Sequence, residues 1–434
     1  MISNVKGTFD YYGAEQAQRS RMIRQMEELF ALYDYEEVAT AILNEKELLT
    51  AKYSGGDEIV QEMYTLSDRG QRELGLRYDL TVPFAKLMAS DARLPMPFRR
   101  YELGKVFRDG PVKRGRLREF TQCDVDVAGM AGPEAEAELL LLANRVYERL
   151  GIPVVLRWNN RRFLAEWLMA AGIAENQLLT VMLTLDKIAK IGRDAVRAEL
   201  LEKGAAHAVA DSVLAVITDE QLNAACSAAF EQLCTTFSIG DLPGAQEVRS
   251  LLAMIESVGL STVCRFDPAL SRGLSFYTGT VYEAFDASGS YTSSLGGGGR
   301  YDAIIGQLAG NPDIQYPTVG FSFGLEPMME LVRERLAPIE TAPVIVVPIG
   351  QTIADAMRVT EAIRSCGIRT RLSPAGRKVG KALASAASAG CRFAVLIGED
   401  EAQSNTVQFK DMAARTEERL AVEEAIYRME QVLL

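Results

Sequence analysis

The chain has 434 residues, a formal net charge of −11, 48% hydrophobic residues and 24% charged residues. This length predicts two or three domains of roughly 150 residues each, and the composition excludes a disordered or fibrous protein. No apolar run approaches the roughly 18 residues that cross a bilayer, so we expect a cytoplasmic protein without a membrane partner.

Hairpins and helices are both predicted in the first 330 residues. Apolar residues at helical spacing predict a helix over 14–33. Further periodic segments predict strands at 63–66, 74–78, 97–107, 120–127 and 154–158, and a helix at 134–150. From about 170 to 259 the sequence is rich in Ala, Leu and Glu at helical spacing, which indicates an inserted helical module. Strands are predicted again at 275–285 and 318–323, the second leading into a helix with Pro327 in its first turn.

The C-terminal part has a different pattern. After a linker at 336–342, strands and helices alternate, at 343–347, 351–366, 368–372, 379–389 and 393–397. Such alternation is typical of an α/β domain, here over 343–434, whereas strand pairs with segregated helices predict α+β for residues 1–335.

Two segments carry most of the chemistry that the sequence offers. His207 is the only histidine and the six cysteines include no C-x-x-C pair, which argues against Ser-His-Asp catalysis and against a resident metal site. Cations are concentrated between 97 and 120, and residues 362–398 contain seven cations and no acid. Each basic segment is compatible with phosphate binding or with a solvated surface.

The predicted strand 120–127 has polar residues where a core strand would be apolar. Gln122, Asp124 and Asp126 alternate with other residues, so they lie on one face of the strand. Because this strand directly follows the loop that contains Arg108 and Arg116, we expect a polar cleft beside a phosphate-binding loop.

Four segments in the same order resemble the histidyl-tRNA synthetase family, which belongs to class II of the aminoacyl-tRNA synthetases. Residues 100–124 resemble the class II motif 2, and residues 272–279, Arg-Gly-Leu-Ser-Phe-Tyr-Thr-Gly, resemble the histidine-specific signature RGLDYYTG. Residues 78–83 and 297–302 match two further family segments. Several matches in the same order are far more specific than one motif.

The resemblance implies a class II antiparallel catalytic domain over 1–335 with the helical insertion, followed by an anticodon-binding domain. It implies a homodimer that uses ATP with Mg²⁺ to activate L-histidine and then charges histidine tRNA. Arg108 and Arg272 are the expected catalytic residues. The expected histidine-binding residues are Asp79, Leu80, Thr81, Gln122, Asp126, Arg272, Phe276, Tyr277 and Tyr301. Arg108, Arg116 and Glu326 are expected to bind ATP, and Arg371, Arg377 and Lys378 to bind tRNA.

Some positions differ from the family pattern. Pro327 follows the motif 3 segment where an arginine is usual, and Ser275 and Phe276 replace Asp and Tyr of the signature. Ala41 stands where the motif 1 proline is expected, and Gly110 where motif 2 has an acid two places after its arginine. An alternative reading is therefore a regulatory subunit of ATP phosphoribosyltransferase, which shares the catalytic core, binds histidine and charges no tRNA.

Overall fold

The computed structural model of the chain describes residues 2–50, 61–91, 93–218, 227–271, 276–333 and 342–433. These residues form two compact units, Met1–Leu336 and Ala337–Leu434. In the part of the chain that is described, no helix combines the length and the apolar character that a membrane crossing requires.

The first unit is built on a mixed, mainly antiparallel sheet. Its strands are β1 (Glu36–Glu37), β2 (Leu43–Glu45), β3 (Thr65–Ser67), β4 (Glu73–Leu76), β5 (Phe98–Phe107), β6 (Glu119–Ala128), β7 (Val154–Asn160), β8 (Cys264–Phe266), β9 (Thr280–Asp286), β10 (Gly296–Arg300) and β11 (Thr318–Gly324). Eight of them form the main sheet in the order β1-β5-β6-β11-β10-β9-β7-β8. The two edge pairs, β1-β5 and β7-β8, are parallel and the pairs between them are antiparallel. A second, small sheet has the order β2-β4-β3. In it the consecutive strands β3 and β4 form an antiparallel hairpin, and β2 pairs with the other side of β4.

Helices make up the rest of the first unit. They are α1 (Gly13–Leu32), α2 (Lys46–Thr50), α3 (Thr81–Ser90), α4 (Pro133–Arg149), α5 (Arg161–Ala170), α6 (Leu178–Leu185), α7 (Ile188–Ile191), α8 (Arg193–Glu202), α9 (His207–Ile217), α10 (Ser227–Phe237), α11 (Pro243–Ser257), α12 (Ile304–Leu308) and α13 (Leu325–Val332). Proline opens α4 and α11, where its missing N–H costs no helical hydrogen bond. Between 161 and 257 the described residues contain helices and turns only, as the periodicity predicted.

The main sheet has two faces of different chemistry because side chains alternate along each strand. On one face, Tyr101, Cys123, Val125 and Phe321 belong to the large apolar core that also contains residues of α1 and α4. The alternate positions of β5 and β6 carry charged and amide side chains. Helices α1 and α4 therefore cover the apolar face, whereas the polar groups collect on the other face, which α3 contacts.

The second unit has its own five-stranded sheet. Its elements are β12 (Val344–Pro348), α14 (Ile353–Ser365), β13 (Thr370–Leu372), α15 (Val379–Ser388), β14 (Phe393–Ile397), α16 (Glu399–Ser404), β15 (Thr406–Asp411), β16 (Thr416–Ala421) and α17 (Val422–Leu433). The order is β13-β12-β14-β15-β16, parallel among the first three strands and antiparallel afterwards. Every residue of β12 and β14 is buried, as expected for central strands covered on both faces.

The predicted α+β class of the first unit and the strand-helix alternation of the second are confirmed, with several corrections. The segment predicted as a strand from 275 is extended only from Thr280 to Asp286, and residues 272–275 lie outside the described part. The four glycines 296–299 form most of strand β10, which composition did not suggest. The β15-β16 hairpin and α17 were not predicted, and of these elements β16 has no buried residue and hence no apolar alternation to mark it.

Strand β10 depends on glycine because its neighbours approach closely. A Cβ at Gly298 would lie 1.9 Å from the carbonyl oxygen of Gly320, and one at Gly299 would lie 2.4 Å from the carbonyl oxygen of Thr280. Both atoms belong to the backbone of the flanking strands, so they cannot move aside without disturbing the sheet.

We expect Gly298→Ala to lower the free energy of unfolding of the first unit by at least about 2 kcal/mol, because overpacking a fitted core typically costs that much. Both tryptophans, Trp158 and Trp167, are buried in this unit, so their fluorescence during urea denaturation follows it. Gly240→Ala is the matched control, since a Cβ there would meet nothing closer than 3.8 Å. Equal denaturation midpoints for the two variants would contradict the steric role of Gly298.

Candidate active site

The β5-β6 hairpin brings opposite charges together on the polar face of the main sheet. Arg100 lies opposite Asp126 in the strand register, and Glu102 lies opposite Asp124. Paired residues on neighbouring strands point to the same side, so all four side chains share one face. They are almost completely buried.

Arg100 is the centre of this group. Its Nη2 atom lies 2.7 Å from Oδ2 of Asp126, and its Nη1 atom lies 3.4 Å from Oε2 of Glu102. The guanidinium also sits 4.4 Å from the ring centroid of Phe84. Glu102 has a second cationic partner, because Arg77 donates to its Oε1 atom at 2.8 Å. Arg100, Glu102 and Asp126 thus each have an opposite charge within 4.0 Å, which buried ions require.

Burial changes the proton affinity of the acids in this group. Loss of solvent raises the pKa of the Asp124 carboxyl, an effect that the Arg100 guanidinium opposes and the Asp126 carboxylate reinforces. Loss of solvent also raises the pKa of Asp126, against the opposing attraction of Arg100. The pKa of the Tyr301 phenol lies well above its ordinary value because the ring is buried and next to Asp126. Tyr301 therefore keeps its proton near neutral pH and acts as a donor.

Several expected histidine-binding residues meet at Asp126. The Tyr301 hydroxyl donates a hydrogen bond to Oδ1 of Asp126. The rings of Phe276 and Tyr277 lie 4.4 Å apart, and the ring of Phe276 lies 6.1 Å from that of Tyr301. Gly320 faces Asp126 in the register, and a Cβ there would lie 1.8 Å from Oδ1 of Asp126. Glycine at 320 leaves room for the carboxylate.

The remaining expected histidine-binding residues lie around the same face. Asp79 accepts a hydrogen bond from the amide of Val82 at 3.1 Å, at the start of α3, where Thr81 is the first helical residue. The carbonyl oxygen of Leu80 accepts from Nη2 of Arg100 at 3.2 Å. Gln122, four residues before Asp126 on β6 and on the same face, donates to Oγ of Ser322 at 2.9 Å.

A cavity of about 1250 Å³ opens beside this polar face. Its cations come from two sides, and they are Arg108, Arg114, Arg116, Arg157, Lys190 and Arg265. The first three belong to the loop between β5 and β6, and Lys190 belongs to the helical insertion. Such a volume exceeds the upper end of the usual range for small-ligand sites, roughly 300 to 1,000 Å³. The acids Glu62, Asp186, Asp267 and Glu283 also line the cavity, so its six cations exceed its acids by two and the cavity is suited to a large anionic ligand.

The loop between β5 and β6 is held as a hairpin with its arginines at the cavity. The amide of Arg108 donates to the carbonyl oxygen of Arg118 at 2.9 Å, and Lys113 and Arg116 bridge the tip. Arg108 donates through Nε to the carbonyl oxygen of Tyr78 at 3.0 Å and lies 5.1 Å from the ring centroid of Phe120. Arg116 pairs with the Glu62 carboxylate at 2.7 Å.

Of the expected site residues that the structure describes in the first unit, Arg108 and Arg116 line the cavity, whereas the histidine-binding candidates gather around Asp126 outside its lining. Glu326 is a buried residue in the first turn of α13. Its carboxylate accepts from Nη2 of Arg19 at 2.9 Å and from the amide of Thr121 at 2.9 Å. Both of its oxygens are thus engaged by the protein itself. Arg272 lies outside the described residues.

Some residues of this region were not selected from the sequence. Arg100 and Glu102 alternate on β5 as Asp124 and Asp126 do on β6, and this shared period of two was a usable signal. Glu62 precedes the small hairpin and reaches the loop only in three dimensions, so no local pattern marks it. The same is true of Arg157 and Arg265, which are register neighbours on β7 and β8.

The expected tRNA-binding residues lie on the second unit. Arg371 is on the edge strand β13, and Arg377 and Lys378 precede α15. All three side chains are exposed. Of the other cations in this segment, Arg392 pairs with Asp411 at 2.8 Å, whereas the described residues offer Arg371, Arg377 and Lys378 no acidic partner within 4.0 Å.

Comparisons with known proteins agree with this architecture. A family model described as histidyl-tRNA synthetase matches residues 7–328, and one described as anticodon binding domain matches residues 343–431. Among curated relatives, histidine-tRNA ligase 1 of Bacillus anthracis is 42% identical over 96% of this chain and 97% of its own length. The histidine-tRNA ligase of Ruegeria pomeroyi is 32% identical over 94% of this chain and 88% of its own.

Solved structures give the same result. The histidyl-tRNA synthetase of a Nostoc species superposes with a TM-score of 0.82 and 25% identity, covering 99% of each chain. A Bacillus halodurans protein titled as an ATP phosphoribosyltransferase regulatory subunit/histidyl-tRNA synthetase has a TM-score of 0.73 at 22% identity, over 89% of this chain and 96% of its own, which shows a shared fold only. The chain therefore belongs to the histidyl-tRNA synthetase family of aminoacyl-tRNA ligases.

Proposed function

We propose that the chain activates L-histidine with ATP, giving histidyl-adenylate and pyrophosphate, and transfers the histidyl group to the 3′ end of histidine tRNA. One observation carries the proposal. Strand β6 leaves the loop whose arginines line the cavity and then presents Gln122, Asp124 and Asp126 in succession on one face. A single strand thus joins the arginine loop of the cavity to the buried polar groups around Asp126. Family membership supports the same reaction.

The pocket around Asp126 is suited to an imidazole ring. A neutral imidazole has one N–H donor and one acceptor nitrogen, so it needs an acceptor and a donor at fixed positions. We assign the acceptor to the Asp126 carboxylate and the donor to the hydroxyl of Tyr277 or Tyr301. Tyr301 already bonds Asp126, so the incoming ring shares or replaces that hydrogen bond. A substrate without these nitrogens would leave buried polar groups unpaired, which opposes its binding.

The rest of the amino acid lies towards α3 and β6 in this proposal. Asp79, Leu80, Thr81 and Gln122 surround the ammonium and carboxylate groups, and the ring of Phe276 covers the pocket from the side. Asp79 is suited to the ammonium because it carries a carboxylate at the edge of the Arg100 group. This arrangement leaves the substrate carboxylate facing the cavity that holds ATP.

Adenylation then needs positioned positive charge rather than a protein base. A carboxylate oxygen of histidine attacks the α-phosphorus of ATP, the bond to the β-phosphate oxygen breaks, and pyrophosphate leaves. We propose that Arg108, Arg116 and Arg272 stabilise the charge that develops on the phosphate oxygens. Mg²⁺ enters with ATP, bound mainly by its phosphates. Glu326 contributes indirectly, because it fixes Thr121 at the start of β6.

In the second step a ribose hydroxyl of the tRNA attacks the acyl carbon, loses its proton, and AMP leaves. We assign recognition of the tRNA to the second unit, where Arg371, Arg377 and Lys378 are exposed and lack acidic partners among the described residues. We further propose a cytoplasmic homodimer, in which the largely exposed segment from Val38 to Leu43, next to the edge strand β1, is covered.

The alternative, a regulatory subunit that charges no tRNA, is not favoured. The curated relatives at 40 to 42% identity over nearly the whole chain are named histidine-tRNA ligases. The second unit also matches an anticodon-binding model over residues 343–431.

The central test is histidine-dependent exchange of pyrophosphate into ATP, with Arg108→Ala as the informative variant. We expect the parent protein to be active and Arg108→Ala to lose exchange by about 100-fold or more, since a preorganised donor at developing charge contributes that much. Arg272→Ala is expected to behave alike. Histidine affinity, measured by calorimetry, should change by less than tenfold in both. An inactive parent would refute the proposed reaction, and near-normal exchange by a variant would remove that arginine from it.

Asp126→Asn should raise the Kd for histidine by at least about tenfold, because the amide presents a donor where the imidazole needs an acceptor. Asp124→Asn is the matched control, since it removes an equally buried carboxylate next to the same arginine. We expect the control to bind histidine within about threefold of the parent, as judged by isothermal titration calorimetry. Equal losses in both variants would assign Asp126 to stability of the charged group rather than to histidine recognition.

The triple variant Arg371→Ala, Arg377→Ala, Lys378→Ala should raise the KM for tRNA and flatten the salt dependence of tRNA binding. The slope should fall by up to about three contacts, each contributing roughly 0.7 to 0.9. Pyrophosphate exchange should be unchanged, because it takes place in the first unit. Parental tRNA affinity at every salt concentration would show that these cations form only a solvated surface.

A further inference from the structure

The space beside Gly110 is filled by a carboxylate from another part of the chain. A Cβ at Gly110 would lie 2.6 Å from Oε1 of Glu62, 2.8 Å from its Cδ and 2.9 Å from its Oε2. The φ angle of Gly110 is not positive, so its backbone conformation is one that an ordinary residue adopts. The family pattern has an acid at this place, two residues after the motif 2 arginine. The missing acid is therefore replaced in space, although not in sequence.

Glu62 is held firmly in this position. Its carboxylate accepts from Nη2 of Arg116 at 2.7 and 3.0 Å, and its backbone carbonyl accepts from the amide of Asp109 at 2.7 Å. The side chain is only 18% exposed, and the exposed part lines the cavity. A fixed carboxylate at the edge of a ligand cavity is suited to recognition, because little conformational entropy is lost when it binds.

The chemistry of a nucleotide limits what this carboxylate can contact. An ionised carboxylate only accepts hydrogen bonds, and phosphate oxygens are acceptors that also repel it. The donors of ATP are the ribose hydroxyls and the exocyclic amine of adenine. The ring of Phe120 lines the same cavity and offers a flat apolar surface for a base. This surface favours the base over the ribose as the partner of Glu62.

We propose that Glu62 is a specificity-determining residue of the nucleotide site, where its carboxylate accepts a hydrogen bond from the exocyclic amine of adenine. The inference rests on the proposed function and adds to it the residue that recognises the base. Guanine presents a carbonyl oxygen at the corresponding ring position, which would face the carboxylate without a proton between them. The same contact thus selects ATP against GTP.

The test compares ATP with a nucleotide that lacks only this amine, and 2′-deoxy-ATP serves as the control for the ribose. Pyrophosphate exchange is measured with ATP, with purine riboside triphosphate, which lacks the amine, and with 2′-deoxy-ATP. The ratio of kcat/KM values is diagnostic, whereas the KM for ATP alone is not, because removal of Glu62 also leaves Arg116 unpaired. We expect the parent to prefer ATP over purine riboside triphosphate by about tenfold, the value of one good hydrogen bond. In Glu62→Ala this preference should fall at least fivefold, with the preference over 2′-deoxy-ATP unchanged.

Three further variants separate recognition from loop structure. Glu330→Gln removes the acid that pairs with Arg114 of the same loop at 3.3 Å, and Glu330 does not line the cavity. It should keep the parental ratio. In the double variant Glu62→Ala, Gly110→Glu, the loop between β5 and β6 supplies a carboxylate next to the place that Glu62 occupied. The preference for ATP should be restored in this variant. Glu62→Gln keeps the size of the side chain with a weaker acceptor, so its ratio should fall in the same direction if Glu62→Ala does not fold.

The outcomes are distinct. A parental ratio in a folded Glu62→Ala or Glu62→Gln protein would overturn the proposal, and so would a changed preference over 2′-deoxy-ATP alone, which would assign the carboxylate to the ribose. An inactive parent would instead refute the proposed function.

Discussion

The buried guanidinium of Arg100 is the interaction on which the site depends. An isolated cation at this depth would be strongly destabilising. Asp126 and Glu102 pair with the guanidinium directly, and the negative charge of Asp124 also stabilises it. The acids exceed the cations in this group even when Arg77 is counted, which is why burial can raise the pKa of Asp124 and Asp126. The hairpin register that aligns these residues therefore sets both the stability of the sheet centre and the protonation of the pocket.

This arrangement separates two tasks along one strand. Near its start β6 is tied to the arginine loop and to the Arg19-Glu326 pair, and near its end it carries Asp126. Charges that must face a mobile, solvated ligand stay at the cavity, where they are partly exposed. Groups that must discriminate a small ring are buried, where an unpaired polar atom is costly. The two halves of the site thus differ in burial as well as in the sign of their charged residues.

The sequence predicted the elements with a strong local signal. The β5-β6 hairpin, the helical insertion and the polar face of β6 follow from periodicity, and the four family segments pointed to residues that the structure brings together at Asp126. It could not predict contacts that depend on chain packing. Glu62 meets Arg116 from a distant segment, and Glu326 turns away from the cavity because Arg19 and Thr121 engage it. Strand β10 was also missed, since a run of glycines is ordinarily a loop and only the close approach of its neighbours makes it a strand.

That glycine strand also bears on how this pocket could be redesigned. Gly299 shares a register row with Gly320 and Asp126. The space where a side chain would start is filled by the Thr280 carbonyl oxygen at Gly299 and by the Asp126 carboxylate at Gly320. Directed evolution towards another amino acid substrate thus has few positions to vary on this side of the pocket. New specificity would have to arise from β6 and from the aromatic residues Phe276, Tyr277 and Tyr301, with the charge of Arg100 rebalanced at each step. A selection library for the substrate's side chain would therefore begin with those positions.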